Sequence, residues 1–312
     1  MTSGEVYTAR DGGNPRSPRV SVILPTFNRL EFLRGAVDSV RAQSFEDWEM
    51  VIADDGSDGT TRDWLRRVER DRVRVLWLEH CGNPARVRNS ALALARGEFV
   101  AFLDSDDLWA RDKLAKQLRA LEQSTARWSY TACDRIDAQD RRIAAGGMRP
   151  PGDGDVLVPL LALSAGIAMP TVMAERRLLE EIGGFDERQR FGEFHDLCLR
   201  LALRARAIGI PEVLCSVRAH DRHFSANRVA AHADWMRLYA KMATLMPEAP
   251  LRALCLRMRA RMALDVARGQ ASRRDAGAAT RALRDGAVFS WRYARLWPGA
   301  MLALLRARMP GA

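Results

Sequence analysis

Cysteine is scarce, and its arrangement suggests no structural use. Cys81, Cys133, Cys198, Cys215 and Cys255 are five in number, widely scattered, and form no C-x-x-C pair. That excludes a disulfide scaffold and a zinc knuckle and suits a reducing compartment. Lysine is scarcer still, with Lys113, Lys116 and Lys241 the only three among 49 basic residues. No G-x-G-x-x-G follows the first apolar run and no Gly-rich, Lys-bearing phosphate loop is present, which argues against a dinucleotide-dependent dehydrogenase and against nucleotidyl transfer. Long apolar runs are also missing, apart from the nineteen uncharged residues 156–174. Pro159, Gly166 and Pro170 interrupt that run, with Ser164 and Thr171 between them. It therefore reads as a short helix, a loop and a buried strand rather than a membrane span. Residues 1–18 carry glycine, proline and charge in place of an apolar core, so a flexible lead-in is expected there and no signal peptide.

What is present is an ordered globular composition, 47% apolar and 28% charged. The net charge of +10 is unevenly spread: residues 225–312 hold 16 basic against 5 acidic side chains, and the rest of the chain is close to neutral. A basic helical region of this kind is either a solvated face or a surface for anionic lipid; a nucleic-acid partner is not expected.

Short apolar runs at 20–24, 49–53, 73–78 and 99–103 start 24 to 29 residues apart, each followed by a turn and a helical pattern. That spacing leaves room for a crossover helix between strands, and the near-continuous apolar character fits strands buried on both faces of a parallel sheet. Asn28 followed by Glu31 resembles a capping box, with Leu33, Val37 and Val40 behind it at helical spacing. After Arg218 the pattern turns wholly helical. The chain thus divides into a lead-in (1–18), an α/β domain (19–225) and a basic helical region (226–312). The last stretch, with Phe289, Trp291, Tyr293, Leu296, Trp297, Met301, Leu304 and Leu305 among arginines, either lies on a membrane surface or packs back on the sheet.

Ligands of open parallel sheets bind beyond the carboxyl ends of the strands, and four polar clusters fall there. They are Pro25-Thr26-Phe27-Asn28-Arg29, Asp54-Asp55-Gly56-Ser57-Asp58-Gly59-Thr60, residues 82–89 from Gly82 to Asn89, and Asp104-Ser105-Asp106-Asp107. Three carboxylates within four residues repel one another unless a cation sits among them. Asp104 and Asp106 alternate along an extended segment, so both can face one side and hold a hard divalent ion such as Mg²⁺ or Mn²⁺ completed by a diphosphate. The alternative is a solvated acidic turn in which Asp107 caps the next helix.

Taken together, P-T-F-N-R at 25–29, D-D-G-S-D-G-T at 54–60, Arg88-Asn89, the run ending Asp104-Ser105-Asp106-Asp107, and Gly183-Gly184-Phe185-Asp186-Glu187 resemble glycosyltransferase family 2 over residues 19–225. The resemblance implies an α/β GT-A fold, a Rossmann-like, mostly parallel sheet flanked by helices, here with an α-helical C-terminal region. It also implies an inverting, metal-dependent glycosyltransferase that takes sugar from a nucleotide-sugar donor, UDP-linked for preference. The acceptor would be a glycan, a lipid-linked saccharide or a protein, in cell-surface polysaccharide or glycoconjugate synthesis. The enzyme would be cytoplasmic, with the basic C-terminal region a candidate for peripheral contact with the inner face of the membrane.

By the same resemblance Pro25, Thr26 and Asn28 would line the nucleoside pocket, Asp55 would accept a hydrogen bond from the base, and Arg88 would contact the nucleotide. Asp104 and Asp106 would hold the divalent metal against the donor diphosphate. His220, in Val217-Arg218-Ala219-His220, would be the third metal ligand, with His223 competing for that place. The base of such enzymes is an aspartate after glutamate at the start of an apolar helix. Asp196 matches it, although His195 stands where glutamate is usual, and Glu193 is the fallback. A catalytically silent module, either binding a nucleotide sugar or sitting through its basic tail on a membrane or partner, is the other class of reading; the intact acidic motifs argue against it.

Overall fold

The four apolar runs become the parallel half of a sheet. The structure is a computed structural model that describes residues 17–70, 72–143, 152, 154–219, 228–288 and 290–308. Strands β1 (Val20–Thr26), β2 (Trp48–Asp54), β3 (Val73–Trp77) and β4 (Phe99–Phe102) pair in parallel in the order β3-β2-β1-β4. Helices α1 (Leu30–Arg41), α2 (Gly59–Val68) and α3 (Pro84–Leu92) follow the first three strands. β2 is buried along its whole length, as continuous apolar runs require when both faces are covered.

The second half of the sheet was less visible in the sequence. β5 (Leu108–Trp109), α4 (Lys113–Glu122), β6 (Trp128–Ile136), α5 (Leu157–Leu161), β7 (Met173–Glu175), α6 (Arg176–Glu181), α7 (Glu193–Arg204) and β8 (Ala207–Arg218) follow in chain order. They extend the described sheet to eight strands, ordered β3-β2-β1-β4-β7-β6-β8-β5. β7 runs antiparallel to both β4 and β6, and β5 runs antiparallel to β8. The uncharged run 156–174 resolves into α5, a 3₁₀ turn at Met169–Thr171 and the start of β7, as its interruptions predict. No helix among the described residues is long and apolar enough to cross a membrane.

Two local expectations change. Asn28 does not cap α1: the helix begins at Leu30 behind Arg29, with no side-chain cap, and Asn28 Oδ1 accepts the amide of Asp58 at 2.6 Å. Asp107 does not cap a helix either, because β5 follows it directly. At the opposite rim from the strand ends, buried Glu49 accepts from Ser21 Oγ at 2.6 Å, from the Arg96 amide at 2.8 Å and from Arg74 Nη2 at 2.9 Å. This network ties β1, β2 and β3 to the segment entering β4.

The described residues fall into two compact units, one of 17–187 with 194–219 and one of 188–193 with 228–308. The second unit is built by α8 (Arg228–Leu245), α9 (Ala249–Ser272), α10 (Ala276–Asp285) and α11 (Trp297–Arg308). Its core is rich in alanine, including Ala260, Ala263, Ala267, Ala279 and Ala303. Small side chains let helices approach closely: a Cβ on Gly299 would lie 2.9 Å from Arg268 Nη2 and 3.2 Å from Leu264. The C-terminal stretch therefore packs on α9, a neighbour that neither sequence reading of it named.

Candidate active site

The site begins where β1 and β2 end side by side. Thr26 and Asp54 are register partners, and the Asp55 amide donates to the Thr26 carbonyl at 2.9 Å. The chain then turns at Gly56, where φ is +79° and a Cβ would lie 2.8 Å from the His80 amide nitrogen, so a side chain is excluded. Ser57 Oγ accepts the Asn28 amide at 2.9 Å, and Asp58 caps α2 by accepting from the Thr61 amide at 3.2 Å. Asn28, with φ of +49°, is thus a bridge between the loops after β1 and β2. Asp54 sits fully inside this turn, and burial pushes its carboxyl pKa up even though Ser57 donates to it.

Asp55 is held with its carboxylate already organised. Oδ1 accepts the Cys81 amide at 2.9 Å and Oδ2 accepts the Gly82 amide at 3.0 Å, with His80 Nδ1 also 3.0 Å from Oδ2. The His80 ring stacks on Phe27, centroids 4.1 Å apart and planes 19° apart. Phe27 is partly exposed, so the pair offers a flat aromatic edge beside the carboxylate. Thr26 Oγ1 is buried without a hydrogen-bond partner among the described residues. Sequence reasoning quoted Phe27 without a role and overlooked His80, since nothing local marks a histidine after β3 as a stacking partner for residue 27.

The acidic turn after β4 is neutralised by arginines from three distant segments. Arg88 Nη2 donates to Asp104 Oδ1 at 2.6 Å, Arg29 pairs with Asp106, and the Arg218 amide donates to Asp107 Oδ1 at 2.9 Å. Arg218 also donates from Nε to the Asp106 carbonyl at 2.8 Å and lies over the Phe32 ring. Asp107 is buried, and that burial, with the charges of Asp106 and Asp104, drives its pKa well above the usual carboxylate range. The motif divides by environment: Asp107 is a structural acceptor, whereas the Asp104 side chain is 30% exposed and Asp106 10%. No set of three His, Cys, Asp or Glu side chains among the described residues is arranged to hold a metal. Asp104 and Asp106 still fit a hard divalent cation, because both donors are oxygens at the ligand-facing rim and their charge already attracts cationic partners. His220 and His223 lie outside the described residues.

The Arg88-Asn89 pair has two separate jobs. Arg88 reaches Asp104 and stacks its guanidinium 5.7 Å from the Phe185 ring centroid. Asn89 accepts the Phe185 amide at 2.8 Å and donates to the Phe185 carbonyl at 2.9 Å and to Glu187 Oε1 at 3.0 Å. It thereby clamps the Gly183-Gly184-Phe185-Asp186-Glu187 turn, where Gly183 and Gly184 take φ of +75° and +64°. A Cβ on Gly184 would come within 2.7 Å of Asn89 Oδ1, so the second glycine is required by the clamp itself.

Asp196, the expected base, is enclosed. It lies in the first turns of α7, 1% exposed, and pairs with Arg200, whose Nη2 is 2.6 Å from Oδ2. Arg200 Nη1 also donates to the Ile182 carbonyl at 2.7 Å, so the pair fastens α7 to the end of α6. Glu193, at the first position of α7, is partly exposed. His195, the departure from the family pattern, is kept neutral, its pKa lowered to about 4 by burial.

The family model "Glycosyl transferase family 2" matches residues 21–182. The chain belongs to glycosyl transferase family 2. This glycosyltransferase is 35% identical over 227 residues to the putative teichuronic acid biosynthesis glycosyltransferase TuaG of Bacillus subtilis (strain 168), covering 70% of this chain and 86% of that protein. Its fold matches S. aureus TarS 1-349 in complex with UDP-GlcNAc, with a TM-score of 0.63 at 18% identity over 93% of this chain and 81% of that one. It also matches the mannosyltransferase PcManGT of Pyrobaculum calidifontis in complex with GDP-Man and Mn²⁺, with a TM-score of 0.59 at 23% identity over 94% and 86% of the two chains. The GT-A-like fold expected from the motifs is thus the fold of the chain.

Proposed function

We propose that this glycosyltransferase inverts configuration while moving a sugar from a UDP-sugar to a hydroxyl of a glycan or lipid-linked acceptor, in surface polysaccharide or glycoconjugate synthesis. The observation that carries the reading is the meeting, on one sheet rim, of Asp55 with its stacked Phe27–His80 edge and of Asp104 with Arg88. The first is suited to a planar base, the second to a diphosphate. Pro25, Thr26 and Asn28 line the nucleoside side, Asp55 accepts from the base, and Arg88 turns from Asp104 to the donor phosphates as they arrive.

Asp104 and Asp106 would hold a divalent cation, with His220 as the third ligand. Such an ion supplies positive charge where the departing diphosphate gains negative charge. The chain's own part is to orient the donor through Arg88 and to receive the acceptor proton on a carboxylate of α7. Of the two, we assign the proton to Glu193, which is partly exposed, and keep Asp196, 1% exposed and paired with Arg200, as the alternative. A single displacement then gives inversion without a covalent sugar intermediate.

Support for the donor class comes from neighbours of the same fold solved with UDP-GlcNAc and GDP-Man, and for the biosynthetic setting from a relative named for teichuronic acid synthesis. The test is calorimetry over UDP-, GDP- and dTDP-sugars with and without Mn²⁺. One donor should bind only with metal, and Asp106→Ala should remove that binding; equal binding with and without metal would sink the metal assignment. Failure of every donor to bind would instead favour a silent module that sits on a membrane or partner.

A further inference from the structure

Helix α11 is turned inside out for a soluble bundle. Its seam toward α9 is filled by Ala300, Ala303 and Ala307, with Leu304 partly buried among them. Its large apolar residues point away: Trp297 is 39% exposed, Met301 52%, Leu302 48% and Leu305 56%. At about 100° per residue these four span an arc of roughly 140° on the side opposite the alanines. Solvent-facing helix surfaces normally carry charge there, so a contiguous apolar arc marks a contact surface. The indole nitrogen of Trp297 is already satisfied by the Val288 carbonyl at 3.1 Å, so the ring can be buried without stranding a donor.

Charge identifies the occupant. Residues 286–312 contain four arginines and no aspartate or glutamate. Arg295 and Arg306 are exposed at either end of the apolar arc. A second copy of this chain meeting the same face about a two-fold axis would bring arginines together with no carboxylate in this segment to pair them. An anionic lipid surface offers acyl chains to the apolar arc and phosphates to the arginines, and the aromatic ring suits the boundary between them. At 12 residues, about 18 Å, α11 is shorter than the roughly 30 Å hydrocarbon core of a bilayer.

We infer that α11 docks this enzyme on an anionic membrane surface, lying in the interface with Trp297, Met301, Leu302 and Leu305 inserted. The inference is independent of donor, metal and base, and it is tested without any transfer reaction. The full chain should sediment with vesicles of equal phosphatidylcholine and phosphatidylglycerol, weakly with phosphatidylcholine alone, and less at high salt. Met301→Gln with Leu305→Gln should weaken vesicle partition at least about tenfold, and Arg295→Gln with Arg306→Gln should cost about tenfold on anionic vesicles only. Because these positions are exposed, circular dichroism and donor binding should stay as in the parent. Brominated lipid should quench a component of tryptophan fluorescence that is missing in Trp297→Phe. No sedimentation with either vesicle would overturn the inference, as would sedimentation that both double variants leave unchanged. Light scattering that shows a dimer lost in Met301→Gln/Leu305→Gln, with no vesicle binding, would assign the face to a second copy instead.

Discussion

The carboxylates of this enzyme differ by what surrounds them, and their substitutions should separate accordingly. Asp196 is enclosed and paired with Arg200, so Asp196→Asn leaves a buried guanidinium without its charge partner. We expect a loss of roughly 3 kcal/mol of stability, read as a lower midpoint in urea. Glu193→Gln should fold as the parent does, bind donor within about threefold, and lose at least about 100-fold in kcat. If Asp196→Asn keeps full stability while transfer vanishes, the roles are reversed and Asp196 is the proton acceptor. The motif spacing pointed to Asp196 with Glu193 behind it, but not to the burial of Asp196 against Arg200, because an enclosed i,i+4 pair looks like any other acid and base in a string of letters. The arginines were hidden for a related reason. Arg29 meets Asp106 across 77 residues and Arg218 Nε meets the Asp106 carbonyl across 112, and long side chains reaching between loops leave no local pattern.

At the level of elements, strands buried on both faces announce themselves and the others do not. β1 to β4 stood out as continuous apolar runs, whereas β5 has two residues and β7 three, and β8 carries Pro211 and exposed Glu212 within it. The turn after α6 was visible as Gly183-Gly184, yet only the structure shows that Asn89 on α3 dictates it. Gly184→Ala must place a Cβ against Asn89 Oδ1 at a φ of +64°. That should destabilise by about 1–2 kcal/mol and loosen the clamp. Acceptor KM should rise while donor affinity holds; a parallel loss of both would mean that the turn serves the donor side. The segment ahead of α7 is held in the same manner. Asp234 Oδ2 accepts the amides of Arg190 and Phe191 at 3.0 and 2.8 Å, and Gly192 passes within 2.8 Å of Trp235 Nε1 as a Cβ would measure it.

Over the whole molecule, three buried groups make stability rise with pH, each in its own interval, against the opposite pull of Asp54 and Asp107, whose raised pKa values favour the folded state in acid. Lys113 is fully buried with its ammonium nitrogen 3.8 Å from the Trp109 ring centroid and no hydrogen-bond partner among the described residues, and burial lowers its pKa from 10.5 to about 7. The unfolded chain therefore binds this proton between pH 7 and 10.5 while the folded one does not, so stability should rise with pH across that interval and be flat in this respect below it. His195 repeats the effect lower down: neutral when folded, it contributes fully above pH 6.5, and that contribution fades as pH falls toward 4. For Glu49 burial works to raise the pKa, but the Ser21 hydroxyl, the Arg96 amide and the charges of Arg74 and Arg96 outweigh it and hold it below the ordinary value. Its contribution is therefore present above the usual carboxylate range and lost last, in acid. The three contributions should be separable as differences in melting temperature between the parent and single variants, followed from acid to alkaline pH. Lys113→Met should raise Tm at neutral pH and flatten the alkaline stage, because an apolar chain of similar length suits that cavity. His195→Gln should remove the stage between pH 4 and 6.5 and leave the alkaline one intact. A parent profile with no rise above neutrality would show that Lys113 keeps its charge in the folded state, and the apolar enclosure around it would then have to admit water.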